Sequence, residues 1–296
     1  MSTFNGENFL KEQIESILKQ DAVDVKLLVR DDGSNDNTPI ILKRFSKNKN
    51  IEFYEGQNLG YSKSFLNLID NSDETADYYA FSDQDDFWLS NKLIKGINEL
   101  KEYDNSKPLL YVSSLTRVNK KLEFLSIQEF KNLKISLGAE FTRHRLAGCT
   151  FIFNKALVDL LKIGNKIDEL NCSHDKLATI LCLACDGKVI FDKNSYILFR
   201  RHGNNTSSDS MSIYKKIYLD VRKFIDKPNA SSNLAKIIIE YFRESLTSSS
   251  YQILYEIGHY QDNLKNKLKL IANKNIDCGF WYYNLFIKSM IIIGKF

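Results

Sequence analysis

Three carboxylates crowd together at Asp83, Asp85 and Asp86, with only Gln84 between the first two. They follow directly on the run Tyr78-Tyr79-Ala80-Phe81-Ser82, which reads as a short buried strand, so the acidic groups fall at its C-terminal mouth. Carboxylates this close repel one another and destabilise a turn unless a cation neutralises them. A hard divalent ion held through oxygen does so, and such ions commonly hold a diphosphate. Taken alone, the cluster is also compatible with a solvated acidic turn. A second acidic turn, Asp31-Asp32-Gly33-Ser34, closes another strand-like stretch, and two such turns at strand ends converge on one crevice in an open α/β sheet.

The elements that must position these turns alternate along the chain. Asn8 to Lys19 sets Phe9, Leu10, Ile14, Ile17 and Leu18 on one helical face, the 3.6-residue signature. Val25 to Val29 reads as a strand. Thr38-Pro39 opens a helix to about Lys47, with proline at its first position. A strand at Ile51 to Tyr54 and a helix at Tyr61 to Ile69 follow. After the strand into Asp83 come a helix from Ser90 to Tyr103 and a strand from Leu109 to Ser113. This alternation predicts an α/β fold with a mostly parallel sheet flanked by helices. Beyond Leu146 we expect a strand from Gly148 to Phe153, helices at Lys155–Ile163 and Lys176–Ala184, and edge strands at Val189–Phe191 and Tyr196–Phe199. From Ser210 only helical periodicity remains, so the division is residues 1–209 and a helical region, residues 210–296.

A chain of 296 residues, 43% hydrophobic and 26% charged, can bury a substantial core. Its net charge of +4 gives no reason to expect nucleic acid. The charge is uneven, with 13 basic against 7 acidic residues from Ser210 onward. Five cysteines, an odd number without secreted-domain spacing and with no signal peptide ahead of them, suit a reducing cytoplasmic setting. Cys182 and Cys185 form a C-x-x-C inside an apolar helical run, with Cys172 and His174 upstream. Zinc pairs favour turns and redox pairs favour helix N-termini, so these read as buried thiols.

Five segments occur in a telling order: Ser2-Thr3-Phe4-Asn5-Gly6-Glu7, Arg30-Asp31-Asp32-Gly33-Ser34-Asn35-Asp36, Ser82-Asp83-Gln84-Asp85-Asp86-Phe87-Trp88, Gly148-Cys149-Thr150 and His174-Asp175. Together they resemble glycosyltransferase family 2, the inverting, sugar-nucleotide-dependent enzymes of GT-A fold. With the late Arg201-His202-Gly203-Asn204-Asn205, they are most similar to bacterial rhamnosyltransferases of cell-wall and capsular polysaccharide synthesis. The resemblance spans residues 1–209 and departs in one place: relatives carry a hydrophobic first strand before the S-T-x-N-G-E segment, and here only a stub precedes it.

The resemblance implies roles. Asp32 would accept a hydrogen bond from the nucleobase imide, with Asp31 and Asn5 beside it; the plain alternative is a turn. Asp83 and Asp85 would bind Mg²⁺ or Mn²⁺ at the diphosphate, Asp83 also facing the donor, and His202 would join them or remain a loop histidine. Lys63 would reach a phosphate from near a helix N-terminus, or be solvated. Asp175 would be the general base that deprotonates the acceptor hydroxyl, against the simpler reading of an acidic first helical turn. Gly148, Cys149, His174 and Trp88 would line the acceptor site, Trp88 being otherwise core.

The implied reaction moves a sugar, L-rhamnose from its dTDP (or another UDP- or dTDP-) donor, to a hydroxyl of a lipid-linked glycan. A sugar-phosphate nucleotidyltransferase would need a glycine-rich basic loop near the N-terminus, which is not found. A non-catalytic relative that binds nucleotide or glycan is the alternative. The aromatic segment Phe280 to Ile293 is shorter than the roughly 20 apolar residues a bilayer span requires and contains Lys288. It suits either the inner face of an anionic membrane or packing on the catalytic domain or a dimer partner.

Overall fold

The computed structural model describes residues 1–202, 222 and 226–296. Gly203, Asn204 and Asn205 of the late motif, and the boundary at residues 209 and 210, lie outside the described residues. Three strands, β1 (Ser2–Thr3), β2 (Leu27–Asp31) and β3 (Ile51–Glu55), form a parallel sheet in the order β1-β2-β3. Helices α1 (Leu10–Leu18) and α2 (Thr38–Phe45) supply the crossovers. Leu10, Ile14 and Ile17 of α1 are buried against Val29 and Leu42, so the expected helical stripe is the packed face.

A second, six-stranded sheet follows: β4 (Tyr78–Ala80), β5 (Phe87–Trp88), β6 (Leu109–Val118), β7 (Phe124–Ile127), β8 (Ile152–Asn154) and β9 (Lys188–Arg200). Its order is β4-β8-β6-β9-β5, with β7 paired to β6. Among its paired neighbours only β6 and β9 are parallel, so the first sheet is parallel and the second mixed rather than mostly parallel. Apolar patterning identifies strands but carries no direction, which is why this was not legible. The two edge strands expected at Val189–Phe191 and Tyr196–Phe199 are one strand of 13 residues in the sheet interior. The polar stretch between them is absorbed by register shifts against Ser113 and Ser114. The strand expected from Gly148 begins instead as a 3₁₀ turn, Gly148–Thr150, before β8.

Helices α3 (Tyr61–Asp70), α4 (Lys92–Lys101), α5 (Leu137–Thr142), α6 (Lys155–Asn165) and α7 (His174–Ala184) flank the strands. The described C-terminal helices are α8 (Ala230–Phe242), α9 (Ser248–Gly258), α10 (Leu264–Ala272) and α11 (Trp281–Ile292). They are not loosely appended. Ile238, Phe242, Leu254, Ile257 and Ile287 join the same hydrophobic cluster as Leu161, Leu177 and Leu181. Five fully buried large side chains contribute about 1.5–3 kcal/mol each on the usual scale, which fixes these helices against α6 and α7. Helix α11 buries Tyr283, Ile287 and Ile291 and leaves Trp281 79% and Leu285 63% exposed. No helix among the described residues is long and apolar enough to cross a membrane. Cys182 and Cys185 are free and buried, as the sequence indicated, Cys182 donating to the carbonyls of Pro108 and Lys188.

Candidate active site

The loops after β1, β2 and β4 meet. Gln84 is the fastener: its Oε1 accepts from Thr3 Oγ1 at 2.5 Å and from the Phe4 amide at 2.8 Å, and its Nε2 donates to the Phe4 carbonyl at 3.0 Å. A Cβ on Gly6 would collide with that amide, so only glycine fits. Asn5, at φ 50°, accepts from the Asn35 amide at 2.8 Å and binds the first loop to the second. Side-chain bonds of this kind do the joining where no ladder links the two sheets.

Within the second turn both acidic groups are buried. Asp32 Oδ1 receives the Arg30 guanidinium and the Leu59 amide at 2.8 Å, and its Oδ2 receives the Gly60 amide at 2.9 Å. Both oxygens thus accept from the protein, and the buried Asp32 organises the Gln57–Gly60 loop. Asp31 is held by Ser34, and burial raises its pKa. Lys63 is exposed on α3 and lines a shallow concavity of about 220 Å³ with Leu59, Asn67 and Gly164, not the acidic cluster.

The acidic turn itself closes on the late histidine. His202 Nε2 lies 2.7 Å from Asp85 Oδ2, although the two are 117 residues apart. The turn's backbone is gripped by the buried Arg200, whose Nε donates to the Asp85 carbonyl at 3.0 Å while its Nη2 meets Glu12 at 2.6 Å. Burial, then the charges of Asp85 and Asp175, raise the Asp83 pKa to about 7. Among the described residues that carboxyl group gains no hydrogen bond to offset its burial. Such a group is suited to a cation. Donor atoms of Asp83, Asp86 and Cys149 also lie within 4.8 Å of one another. Two observations disfavour that trio for a hard ion. Burial, then Asp86 and Asp83, push the Cys149 thiol well up, and Asp86 is wholly buried with its pKa raised well above normal by burial and by Asp85. Oxygen and imidazole donors such as Asp83, Asp85 and His202 suit Mg²⁺ or Mn²⁺ better by type than a protonated thiol, although the structure brings only Asp85 and His202 of these into direct contact.

Under the turn, Trp88 is 4% exposed, with Lys92 Nζ 3.7 Å from its ring centroid. Trp88 is therefore core, and Cys149 is buried beside Asp86 and Lys92; neither faces an acceptor as expected. Both belong to the apolar layer that supports α1 and β9. Burial lowers the Lys92 pKa to about 7, against the pull of Cys149 and Asp86.

Asp175 starts α7 with its side chain 20% exposed, and its Oδ1 accepts from the Lys176 amide at 2.8 Å. His174 is buried, stacked on Phe65 with centroids 4.1 Å apart and edge-on to Phe81 at 4.8 Å. Burial lowers its pKa to about 4, so it is a neutral ring wedged among aromatics rather than a surface contact. Gly148 admits this pair: an added Cβ would sit 2.9 Å from His174 Nε2 and 3.1 Å from Asp175 Cβ. The glycine makes room for the start of α7, not directly for a substrate.

His144 was not identified from the sequence. Its Nδ1 is 2.5 Å from Glu140 Oε2, and its Nε2 faces Asp175 Oδ2 at 3.4 Å. The only signal was the i,i+4 spacing of Glu140 and His144 beside a six-residue helix. Gln84 and Arg200 were likewise hidden, because the bonds they make join segments far apart in the chain.

An α/β scaffold of this kind, with carboxylates gathered at strand ends and helices on its flanks, is that of the GT-A glycosyltransferases. The chain belongs to glycosyl transferase family 2, whose family model matches residues 1–160. It is 30% identical over 244 residues to the dTDP-rhamnosyl transferase RfbG of Shigella flexneri, covering 77% of this chain and 81% of that protein. Among solved structures, S. aureus TarS 1–349 aligns with a TM-score of 0.57 at 16% identity, covering 99% of this chain and 79% of that one. The same TarS fragment in complex with UDP-GlcNAc aligns with a TM-score of 0.55 at 17% identity, covering 91% and 77%. At such identities the likeness concerns the fold alone.

Proposed function

We propose that this protein is an inverting, metal-dependent glycosyltransferase that moves L-rhamnose from a dTDP donor to a hydroxyl of a lipid-linked glycan precursor. The observation that carries the reading is the contact of His202 with Asp85 in the acidic turn, where the charges of Asp85 and Asp175 help to raise the Asp83 pKa. The similarity to RfbG supports the donor. Asp83, Asp85 and His202 would hold Mg²⁺ or Mn²⁺, and the cation would neutralise charge on the departing diphosphate.

The acceptor oxygen forms its bond to the anomeric carbon as the bond from that carbon to the diphosphate breaks, giving inversion. The hydroxyl proton passes to Asp175. Asp31, Asn5 and Gln84 shape the mouth where the nucleotide lies, with Asp32 holding its floor. Residues 1–209 constitute the catalytic domain in this reading. The described part of residues 210–296 presents Trp281, Leu285, Lys288, Ile292, Ile293 and Lys295, an apolar and basic face suited to the inner, anionic surface of the cell membrane.

A non-catalytic reading is favoured by one feature: Asp32 is closed on Arg30. Calorimetry with dTDP and Mn²⁺, followed by release of dTDP from dTDP-L-rhamnose, separates the two. The transferase reading expects metal-dependent binding, release by the native protein, and none by Asp175→Asn at unchanged nucleotide affinity. Tight binding without any release identifies the binding protein, and undiminished turnover by Asp175→Asn removes its role as base.

A further inference from the structure

Asp175 has a neighbour whose chemistry the transfer reaction leaves unused. His144 is half-buried, its side chain 15% exposed, and lies two residues beyond the end of α5. Glu140 fixes the ring through Nδ1 at 2.5 Å. The other ring nitrogen faces Asp175 Oδ2 at 3.4 Å, too long for a full hydrogen bond, and has no other partner among the described residues. Leaving a buried N–H unmatched costs roughly 1–3 kcal/mol, so its placement beside the partly exposed Asp175 carboxylate calls for a reason. Bonds within catalytic groups are often long before substrate binds and shorten in the loaded complex.

We infer that His144, oriented by Glu140, is a positioning residue for the transfer reaction: it holds the Asp175 carboxylate turned toward the incoming hydroxyl and closes to a full hydrogen bond when acceptor is present. This rests on the glycosyltransferase reading above. His144 neither gains nor loses a proton in the step; the acceptor's proton goes to Asp175 alone.

The surrounding charges agree. Glu140 on α5, Asp175 and His174 on α7, and Asp83 on the loop after β4 are the titratable groups facing the pair. Arg143 and Arg145 turn away, stacking on Tyr283 at 4.9 Å and Phe280 at 4.8 Å. Burial alone would lower the His144 pKa, but Asp175 and Glu140 outweigh it and raise it to about 9. Burial would raise that of Asp175, and the nearby charge of His144 holds it well below the usual carboxylate range. Asp175 therefore stays ionised beside Asp83 at neutral pH because a cation faces it.

The test has two arms. Histidine-labelled protein, with only four histidines, is titrated by NMR, the His144 signal being the one lost in His144→Gln. It should titrate near 9 in the native chain and at least about one pH unit lower in Asp175→Asn. In parallel, dTDP release from dTDP-L-rhamnose with water as acceptor is followed against pH. His144→Gln should lose roughly 10- to 100-fold in kcat, keep the donor KM within about twofold, and show its acid limb at higher pH. Glu140→Gln, whose amide oxygen still accepts from Nδ1–H, should lose less. Nucleotide affinity by calorimetry verifies that each variant is folded. Native kcat and pH profile in His144→Gln, or a His144 signal unmoved by Asp175→Asn, overturns the inference. If the native protein binds dTDP yet releases none, the enzymatic reading fails, and with it the catalytic role of His144, even where the titration proves the contact.

Discussion

Replacing Gly148 by alanine puts one methyl group where the structure has no room. The new carbon would lie 2.9 Å from His174 Nε2 and 3.1 Å from Asp175 Cβ, where ordinary contacts are 3.4–4 Å. One side must yield by about half an ångström. His174 cannot easily do so, because Phe65 stacks on it at 4.1 Å and Phe81 closes its edge at 4.8 Å. Overpacking of a filled site costs about 1–3 kcal/mol, and that is the expected loss in urea unfolding. The rate should suffer separately. Since a misplacement of about 1 Å can cost on the order of 100-fold, half that shift at Asp175 should lower turnover about 10-fold, with nucleotide affinity unchanged. Equilibrium unfolding and dTDP release together measure both. Gly148→Ala with native stability and native turnover would refute the reasoning that this glycine exists to admit α7.

Other expectations follow from the same geometry. Asp83 has its pKa raised to about 7 in the metal-free protein, whereas an unfolded aspartate titrates near 3.8. Between those values the folded state holds a proton that the unfolded state has lost, so this group's contribution to stability falls as pH rises through the window, by at most about 1.4 kcal/mol per pH unit. Asp83→Asn should flatten that slope in urea titrations from pH 4 to pH 7, and an unchanged slope would count against a strained carboxylate. Gln84→Ala removes three hydrogen bonds between loops and should cost about 1–3 kcal/mol while weakening dTDP binding. Trp281→Ser combined with Leu285→Ser should leave stability within about 0.5 kcal/mol, as both side chains are exposed. The same pair should reduce co-sedimentation with anionic phospholipid vesicles; undiminished sedimentation would remove the membrane surface from the proposal.

Much of this was legible in the chain because local signals and tertiary outcome agree. The stripe of Leu10, Ile14 and Ile17, the Thr38-Pro39 start and the apolar run before Asp83 each encode an element whose packing follows the pattern. The meeting of Asp85 with His202 was legible only through the family resemblance. Three kinds of feature were not. Strand β7 shows three exposed residues in four and no alternation, so its pairing with β6 leaves no mark on its sequence. Strand β9 reads as two because Asp192, Lys193 and Asn194 interrupt its pattern, yet the sheet tolerates them as an irregularity. The fates of Trp88 and Asp32 depended on partners supplied from elsewhere, Lys92 above the indole and the amides of Leu59 and Gly60 on the carboxylate. Residue type alone could not distinguish a ligand contact from an internal one.

Arg200 touches Glu12, the Asp85 carbonyl and the Lys120 carbonyl at once, joining segments as much as 188 residues apart. Closing loops of that length is entropically demanding and slow relative to forming local helices. During refolding, helical signal should therefore recover well before the protein regains affinity for a nucleotide. The clamp makes competence the last property acquired: a chain still emerging from the ribosome, with α1 and the acidic turn already formed, would have no seat for a donor until its two-hundredth residue arrived.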